Sequence, residues 1–223
     1  MTATPPDRRL QRQGFGAAPA VPSPRLRGEG KGEGRLRLTR MGVISGRSAL
    51  VLGGARSGKS RYALNLAEAA APTRLMIATA QALDAEMAAR IARHQAERGA
   101  GWTTREEPLE LIEALRQETR PGRAALVDCV TLWLTNVMLA GRDMAAAIEE
   151  LAALVPTLAG PVIFVSNEVG CGITPTSKLG REFQDGQGRA NQALARACEM
   201  VVAVQAGLPR LLKPAAALEL QLR

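Results

Sequence analysis

The sequence predicts an α/β fold in which helices cover both faces of a mostly parallel central sheet. Short apolar runs without polar alternation recur along the chain, and helical patterns separate them. Strands that are buried on both faces have such uninterrupted apolar runs, whereas a strand with one solvated face alternates. Parallel neighbours also need a long crossover connection, which is usually a helix. The two observations together predict a three-layer fold.

Five apolar runs are predicted to be strands, and three segments between them are predicted to be helices. The strands are Ala49–Leu52, Leu75–Ala78, Ala124–Val127, Pro161–Val165 and Val201–Val204. The helices cover about residues 59–70, 84–98 and 107–118, where apolar positions recur at the spacing of one helix face. There is no internal repeat, and the pattern after Leu208 predicts no definite element.

The first 45 residues differ in composition from the rest, and we expect them to be a disordered basic extension. Residues 1–40 have nine basic and three acidic side chains, so that +6 of the net charge of +8 lies there. They also hold six glycines and five prolines among few large apolar residues, a composition that cannot form a packed core. We expect the native start near Met41 and one folded domain over 46–223. The alternative for the extension is a basic arm that binds RNA or lipid.

Composition also narrows the class of protein. Apolar residues make up 46% of the 223 residues, which is enough for the core of one domain. No run of 18 apolar residues occurs, so we expect no membrane span. The three cysteines are widely spaced and form no CxxC pair, which favours a cytoplasmic protein over a disulfide scaffold or a zinc site.

The strongest motif is G-x-x-x-x-G-K-S, which lies between the first predicted strand and the first predicted helix. Its residues are Gly53, Gly54, Ala55, Arg56, Ser57, Gly58, Lys59 and Ser60. Glycines let the backbone N–H groups converge on one concavity, and the helix N-terminus favours an anion there. This predicts a P-loop that binds a nucleoside triphosphate, with Lys59 on the β- and γ-phosphates and the Ser60 hydroxyl on Mg²⁺. Arg56 is expected either to contact a phosphate or to form a salt bridge on the loop.

Two further residues have alternative interpretations from the sequence alone. Asp128 ends the third predicted strand, so it lies either near the metal or nucleotide or at the N-cap of the next helix. The single histidine, His94, shares one side of its predicted helix with Met87 and Ile91. That position favours a half-buried structural histidine, although a neutral imidazole is also a competent nucleophile toward phosphorus.

Seven segments, in this order over about residues 48–206, resemble one known family. They are Gly53–Arg61, Ile77–Ala80, Asp84–Ile91 leading to His94, Trp102–Pro108, Leu126–Asn136, Val165–Gly170 and Gly188–Gln192. The family is the bifunctional adenosylcobinamide kinase / adenosylcobinamide-phosphate guanylyltransferase of cobalamin biosynthesis. The chain departs from it at Pro175-Thr176-Ser177-Lys178, where the family usually has Pro-Glu-Asn-Arg, and at Phe183-Gln184-Asp185, where it has Phe-Arg-Asp.

The resemblance implies two reactions at one nucleotide site. ATP or GTP would phosphorylate the aminopropanol hydroxyl of adenosylcobinamide. GTP would then give GMP to an enzyme histidine, and the resemblance assigns this role to His94. The histidine would pass the GMP to adenosylcobinamide phosphate to form adenosylcobinamide-GDP. The resemblance also implies a homo-oligomer with sites between chains. Beyond the P-loop, it places Ala78, Thr79, Ala80, Gln95, Ala96, Glu97, Arg98, Glu106 and Asp128 in the nucleotide site.

Three other functions remain as alternatives. A guanylyltransferase that has lost the kinase step would fit the departures from the family pattern. A regulatory P-loop protein would bind GTP without forming a covalent adduct. Nucleic-acid binding through the basic extension ranks last, because the remainder of the chain has a net charge of only +2, and we expect no nucleic-acid partner.

Overall fold

A seven-stranded sheet organises the part of the chain that the computed structural model describes, residues 45–81 and 99–215. Its strands are β1 (Ser48–Gly53), β2 (Thr73–Ala78), β3 (Trp102–Glu106), β4 (Arg123–Asp128), β5 (Val162–Asn167), β6 (Met200–Gln205) and β7 (Leu208–Lys213). They lie in the order β3-β2-β4-β5-β1-β6-β7, and every neighbouring pair is parallel except β6 and β7. The carboxyl ends of six strands therefore meet at one edge.

Helices cover both faces of this sheet. They are α1 (Lys59–Ala70), α2 (Leu111–Glu118), α3 (Val130–Leu139), α4 (Met144–Leu154) and α5 (Lys178–Ala197), with a short 3-10 helix at Val155–Thr157. Alternate residues of β1 show the division, because Ala49 and Val51 pack with α1 while Leu50 and Leu52 pack with α2 to α5. The predicted α/β fold with a mostly parallel sheet is thus confirmed. None of the described helices is both long and apolar enough to cross a bilayer.

The five predicted strands are all present, and β3, β7, α3, α4 and α5 are additions to the predicted elements. The predicted helix over 107–118 begins too early, since α2 starts only at Leu111. The residues before it form a turn in which the Glu107 carboxylate accepts a hydrogen bond from Glu110 N at 3.0 Å. The predicted helix over 84–98 lies outside the described residues.

Candidate nucleotide site at the carboxyl edge of the sheet

The P-loop folds into a tight turn between β1 and α1. Arg56 and Gly58 both have positive φ angles, 57° and 93°, which reverse the chain direction. Ser57 N donates a hydrogen bond to Gly54 O at 3.3 Å across the turn. The Lys59 side chain is buried and its Nζ atom donates a hydrogen bond to Gly54 O at 3.1 Å. The ammonium group is therefore held at the loop, where phosphates would bind.

At two positions of the loop, Gly53 and Gly58, neighbouring atoms leave little room for a side chain. A Cβ atom on Gly53 would lie 2.6 Å from Val204 O and 2.5 Å from Ser57 Oγ. A Cβ atom on Gly58 would lie 3.1 Å from Gly207 Cα, in addition to the unfavourable positive φ. Gly207 N also donates a hydrogen bond to Ser57 O at 2.8 Å. The hairpin between β6 and β7 therefore supports the phosphate loop from one side.

The strand register brings three of the predicted site residues together. Ala78, at the end of β2, is paired with Glu106 of β3 and with Asp128 of β4. Ala78 packs into the apolar cluster that contains α1, and paired residues of neighbouring strands point to the same face of a sheet. Glu106 and Asp128 therefore lie at the carboxyl edge on the face that α1 and the P-loop occupy. Asp128 is not the N-cap of α3, which is Cys129.

Thr79 joins the ends of β2 and β4 and is completely buried. Its hydroxyl donates to Cys129 O at 2.7 Å and accepts from Cys129 N at 2.8 Å, while Thr79 N donates to Asp128 O at 3.3 Å. Asn136 Nδ2 donates to Thr79 O at 2.9 Å. The Thr79 side chain thus fixes the backbone beside Asp128, and Ala80, the next residue of the predicted set, is half-buried directly after it.

The pKa of the Cys129 thiol depends on two charged side chains near it, those of Asp128 and Lys59. Burial, and next the Asp128 carboxylate, raise the pKa of Cys129 to about 12, while the Lys59 ammonium opposes the shift. Lys59 and Asp128 are therefore both close enough to act on one buried group. The thiol itself remains protonated at neutral pH and is not a nucleophile.

Sequence reasoning assigned no role to Asn167, which the structure places in the same site. Asn167 ends β5 and is paired with Gly53, the first residue of the P-loop. Its N–H donates to Thr131 Oγ1 at 2.9 Å, and its carbonyl accepts from Asn191 Nδ2 at 3.0 Å. All three residues lie in segments that carry the family resemblance. A polar residue directly after an apolar strand was the only local signal.

The remaining predicted residues cannot be placed. His94, Gln95, Ala96, Glu97 and Arg98 lie outside the described residues. The structure therefore brings together the P-loop, the ends of β2 to β5 and Thr79, and the contribution of residues 94–98 stays a prediction.

Comparison with known proteins gives a consistent result over most of the chain. A family model for cobinamide kinase / cobinamide phosphate guanyltransferase matches residues 49–212. The bifunctional adenosylcobalamin biosynthesis protein CobP of Pseudomonas aeruginosa is 49% identical over 166 residues, which are 74% of this chain and 96% of the relative. The bifunctional adenosylcobalamin biosynthesis proteins CobU of Escherichia coli and Salmonella typhimurium are 40% and 41% identical over 174 residues, covering 71% of this chain and 96% of each relative.

One solved structure, from Pyrococcus horikoshii OT3, also matches at 11% identity. The match covers 74% of this chain and 85% of that chain, with a TM-score of 0.40. We draw no conclusion about function from a similarity this low.

Proposed function

The chain belongs to the cobinamide kinase / cobinamide phosphate guanyltransferase family, and we propose that both reactions of the family use its single P-loop. It is a bifunctional transferase of adenosylcobalamin biosynthesis. The observation that supports the one-site proposal is that Lys59 and Asp128 both lie close to the buried Cys129, with Glu106 further along the same edge of the sheet. Phosphoryl and nucleotidyl transfer depend mainly on positioning and on stabilising phosphate charge, and this edge supplies both.

The triphosphate of ATP or GTP binds to the loop backbone and to the N-terminus of α1. The Lys59 ammonium, already held beside Gly54 O, moves to the β- and γ-phosphates. Mg²⁺ prefers oxygen ligands, and the Ser60 hydroxyl and the Asp128 carboxylate are oxygen donors on the same side of the sheet. These two residues would hold the ion, whose charge would reduce repulsion among the phosphates. Glu106 is a further carboxylate at this edge and is suited to accept hydrogen bonds from ribose hydroxyls or the guanine base.

His94 is proposed as the residue that carries GMP. One imidazole nitrogen attacks the α-phosphorus of GTP, a P–N bond forms, and the bond to the departing pyrophosphate breaks. A phosphate oxygen of adenosylcobinamide phosphate then attacks the same phosphorus and releases the imidazole, which gives adenosylcobinamide-GDP. The support is the resemblance of the segment leading to His94 and the absence of a second histidine from the sequence. Gln95 to Arg98 are proposed to line the nucleotide site beside it.

The kinase step is proposed to persist in spite of the altered run Pro175–Lys178. Ser177 is the N-cap of α5, and its hydroxyl accepts a hydrogen bond from Gly180 N at 3.1 Å. Arg181 Nη1 donates to the carbonyl oxygens of Pro175 and Thr176, at 3.1 and 2.7 Å. The altered residues thus cap the N-terminus of α5 with hydrogen bonds. This supports the proposal that the segment is folded as the kinase step requires.

The setting of the enzyme is proposed from its composition and family. We propose a cytoplasmic homo-oligomer with one folded domain over 46–223 and a basic extension over 1–45, and no nucleic-acid partner. Light scattering on the purified protein tests the oligomer, since a monomeric mass would overturn it. Removal of residues 1–40 tests the extension, because both activities should persist without it.

A pair of activity assays tests whether the two reactions share one site. The full chain is incubated with adenosylcobinamide and γ-labelled ATP or GTP for the kinase, and with adenosylcobinamide phosphate and GTP for the transferase. Lys59→Ala should reduce both rates by at least about 100-fold, because both reactions need a triphosphate bound to the same loop. Asn65→Ala, which alters an exposed asparagine on α1, is the matched control and should leave both rates unchanged. Loss of only one activity in Lys59→Ala would contradict a shared site.

A further inference from the structure

Three amide side chains of α5 hold the end of β5 and the segment that follows it. Gln184, Gln187 and Asn191 are spaced i, i+3 and i+7, so they share one face of the helix. Gln184 Nε2 donates to Val169 O at 3.2 Å, and Gln187 Nε2 donates to Ser166 Oγ at 2.8 Å. Asn191 Oδ1 accepts from Ser166 Oγ at 2.6 Å and from Gln187 Nε2 at 3.0 Å. Ser166 and Gln187 are completely buried, so this network is shielded from solvent.

The network fixes the backbone of Asn167 between α5 and the P-loop. Asn191 Nδ2 donates to the Asn167 carbonyl at 3.0 Å, and Thr131 Oγ1 accepts from Asn167 N at 2.9 Å. The next residue, Glu168, donates its N–H to Gly53 O at 3.3 Å. Both backbone groups of Asn167 are therefore used by its neighbours, and its position relative to the phosphate loop is set.

The alternation of β5 shows on which face the Asn167 side chain lies. Ile163 and Val165 pack into the cluster that contains α1, whereas Phe164 packs with α2 to α5 and Ser166 bonds to α5. Asn167 continues the first series and therefore projects on the α1 face. Its strand lies between the strand that leads into the P-loop and the strand that ends at Asp128.

We infer that the side-chain amide of Asn167 binds the terminal phosphate of the nucleotide and that Asn191 is its positioning residue. The inference rests on the proposed function, because it requires a triphosphate in the P-loop. The N–H groups of the loop surround the phosphates inside its concavity, and the last phosphate extends past them toward the ends of the neighbouring strands. A neutral amide donor there stabilises phosphate oxygens without adding a charge near Lys59 and Asp128.

A comparison of triphosphate and diphosphate binding tests this assignment. Dissociation constants for GTP and GDP are measured by calorimetry with Mg²⁺ on the full chain carrying His94→Ala, so that no covalent adduct forms. In that background Asn167→Ala should weaken GTP binding by about 10-fold or more, the usual effect of losing a hydrogen bond to a charged group, and leave GDP binding within about twofold. Asn191→Ala should weaken GTP binding selectively in the same way, by a smaller factor. Asn65→Ala is the matched control for both ligands.

The outcomes separate the inference from the function on which it rests. Equal weakening of GTP and GDP in Asn167→Ala would assign this residue to the shape of the loop and overturn the inference, as would no change for either ligand. Equal weakening in Asn191→Ala alone would overturn its positioning role. If the full chain with His94 intact bound neither GTP nor GDP, the P-loop proposal itself would fail. Thermal unfolding of each variant confirms that the comparison is made on folded protein.

Discussion

The Thr79 hydroxyl makes two hydrogen bonds to the backbone of Cys129, accepting from its N–H at 2.8 Å and donating to its carbonyl at 2.7 Å. Thr79 directly follows the end of β2, and Cys129 directly follows Asp128 at the end of β4. The two hydrogen bonds therefore hold the backbone next to Asp128. The resemblance predicts that Thr79 belongs to the nucleotide site, and its described hydrogen bonds hold the two neighbouring strand ends together.

Substitution of Thr79 should therefore affect stability first. Thr79→Val keeps the shape but leaves the N–H of Cys129 without a partner and removes one of the two bonds to its carbonyl, which still accepts from Trp133 N at 3.1 Å. We therefore expect a loss of about 2 to 3 kcal/mol in the free energy of unfolding. Thr79→Ser keeps both hydrogen bonds and should lose only about 1 kcal/mol. Urea unfolding measures both values. Similar losses in the two variants would show that the hydroxyl is not the stabilising group.

The close contacts at Gly53 predict that this position does not accept a side chain. Gly53→Ala places a methyl group 2.6 Å from the backbone oxygen of Val204, so the loop must shift, and GTP affinity should fall by at least about 10-fold. Gly188→Ala is the matched control, because the added Cβ in α5 would meet nothing within 4 Å apart from its chain neighbours and the backbone of its own helix. That variant should bind GTP normally and should be slightly more stable, since alanine favours a helix. Normal GTP binding by Gly53→Ala would contradict the geometry of the loop.

The cysteines should differ in reactivity and should make the fold sensitive to alkali. Burial raises the pKa of Cys129 and of Cys198 to about 12, whereas Cys171 is exposed. At pH 8 iodoacetamide should therefore modify Cys171 in the native protein, and all three thiols only after unfolding. Mass spectrometry counts the modified sites. Rapid modification of Cys129 in the folded protein would contradict its burial.

The same raised pKa values predict that the free energy of unfolding falls as the pH rises above 9. The two thiols ionise in the unfolded chain above a pKa of 9.0 but stay protonated in the fold up to about 12. Unfolding releases protons in this window, so each thiol lowers stability by up to about 1.4 kcal/mol per pH unit as the pH rises through it. The pH slope of the free energy of unfolding between pH 9 and 11 should become shallower in Cys129→Ala/Cys198→Ala. An unchanged slope would assign the alkaline loss to other groups.

We expect the altered residues Thr176, Ser177 and Lys178 to stabilise the N-terminus of α5 and to have little effect on the kinase reaction. Restoring the family residues with Thr176→Glu, Ser177→Asn and Lys178→Arg keeps a good N-cap, because asparagine and serine are similar in that role. The kinase rate should then stay within about twofold of that of the unaltered chain, and the transferase rate should not change. A large gain in the kinase rate alone would show that the natural residues impair phosphorylation.

The sequence predicted the elements that local patterns specify and missed those that depend on position in the sheet. β1 and β4 each contain an uninterrupted apolar run of four residues, and the P-loop motif specifies its own turn and helix. β3 and β7 are edge strands with largely exposed residues, so they lack the apolar run that identified the others. Asn167 was missed for a different reason. Its place beside Gly53 follows from pairing across more than 100 residues of sequence, which no local pattern encodes.

The central claim, transfer of GMP through a histidine, is tested most directly by labelling the enzyme itself. The full chain, His94→Ala and Asn65→Ala are incubated with Mg²⁺ and GTP labelled at the α-phosphate, and the denatured proteins are examined for bound label. The full chain and Asn65→Ala should carry a label that is lost in acid and stable in alkali, as a histidine phosphoramidate is, and His94→Ala should carry none. Label that persists in His94→Ala, or no label on a full chain that binds GTP, would contradict the claim.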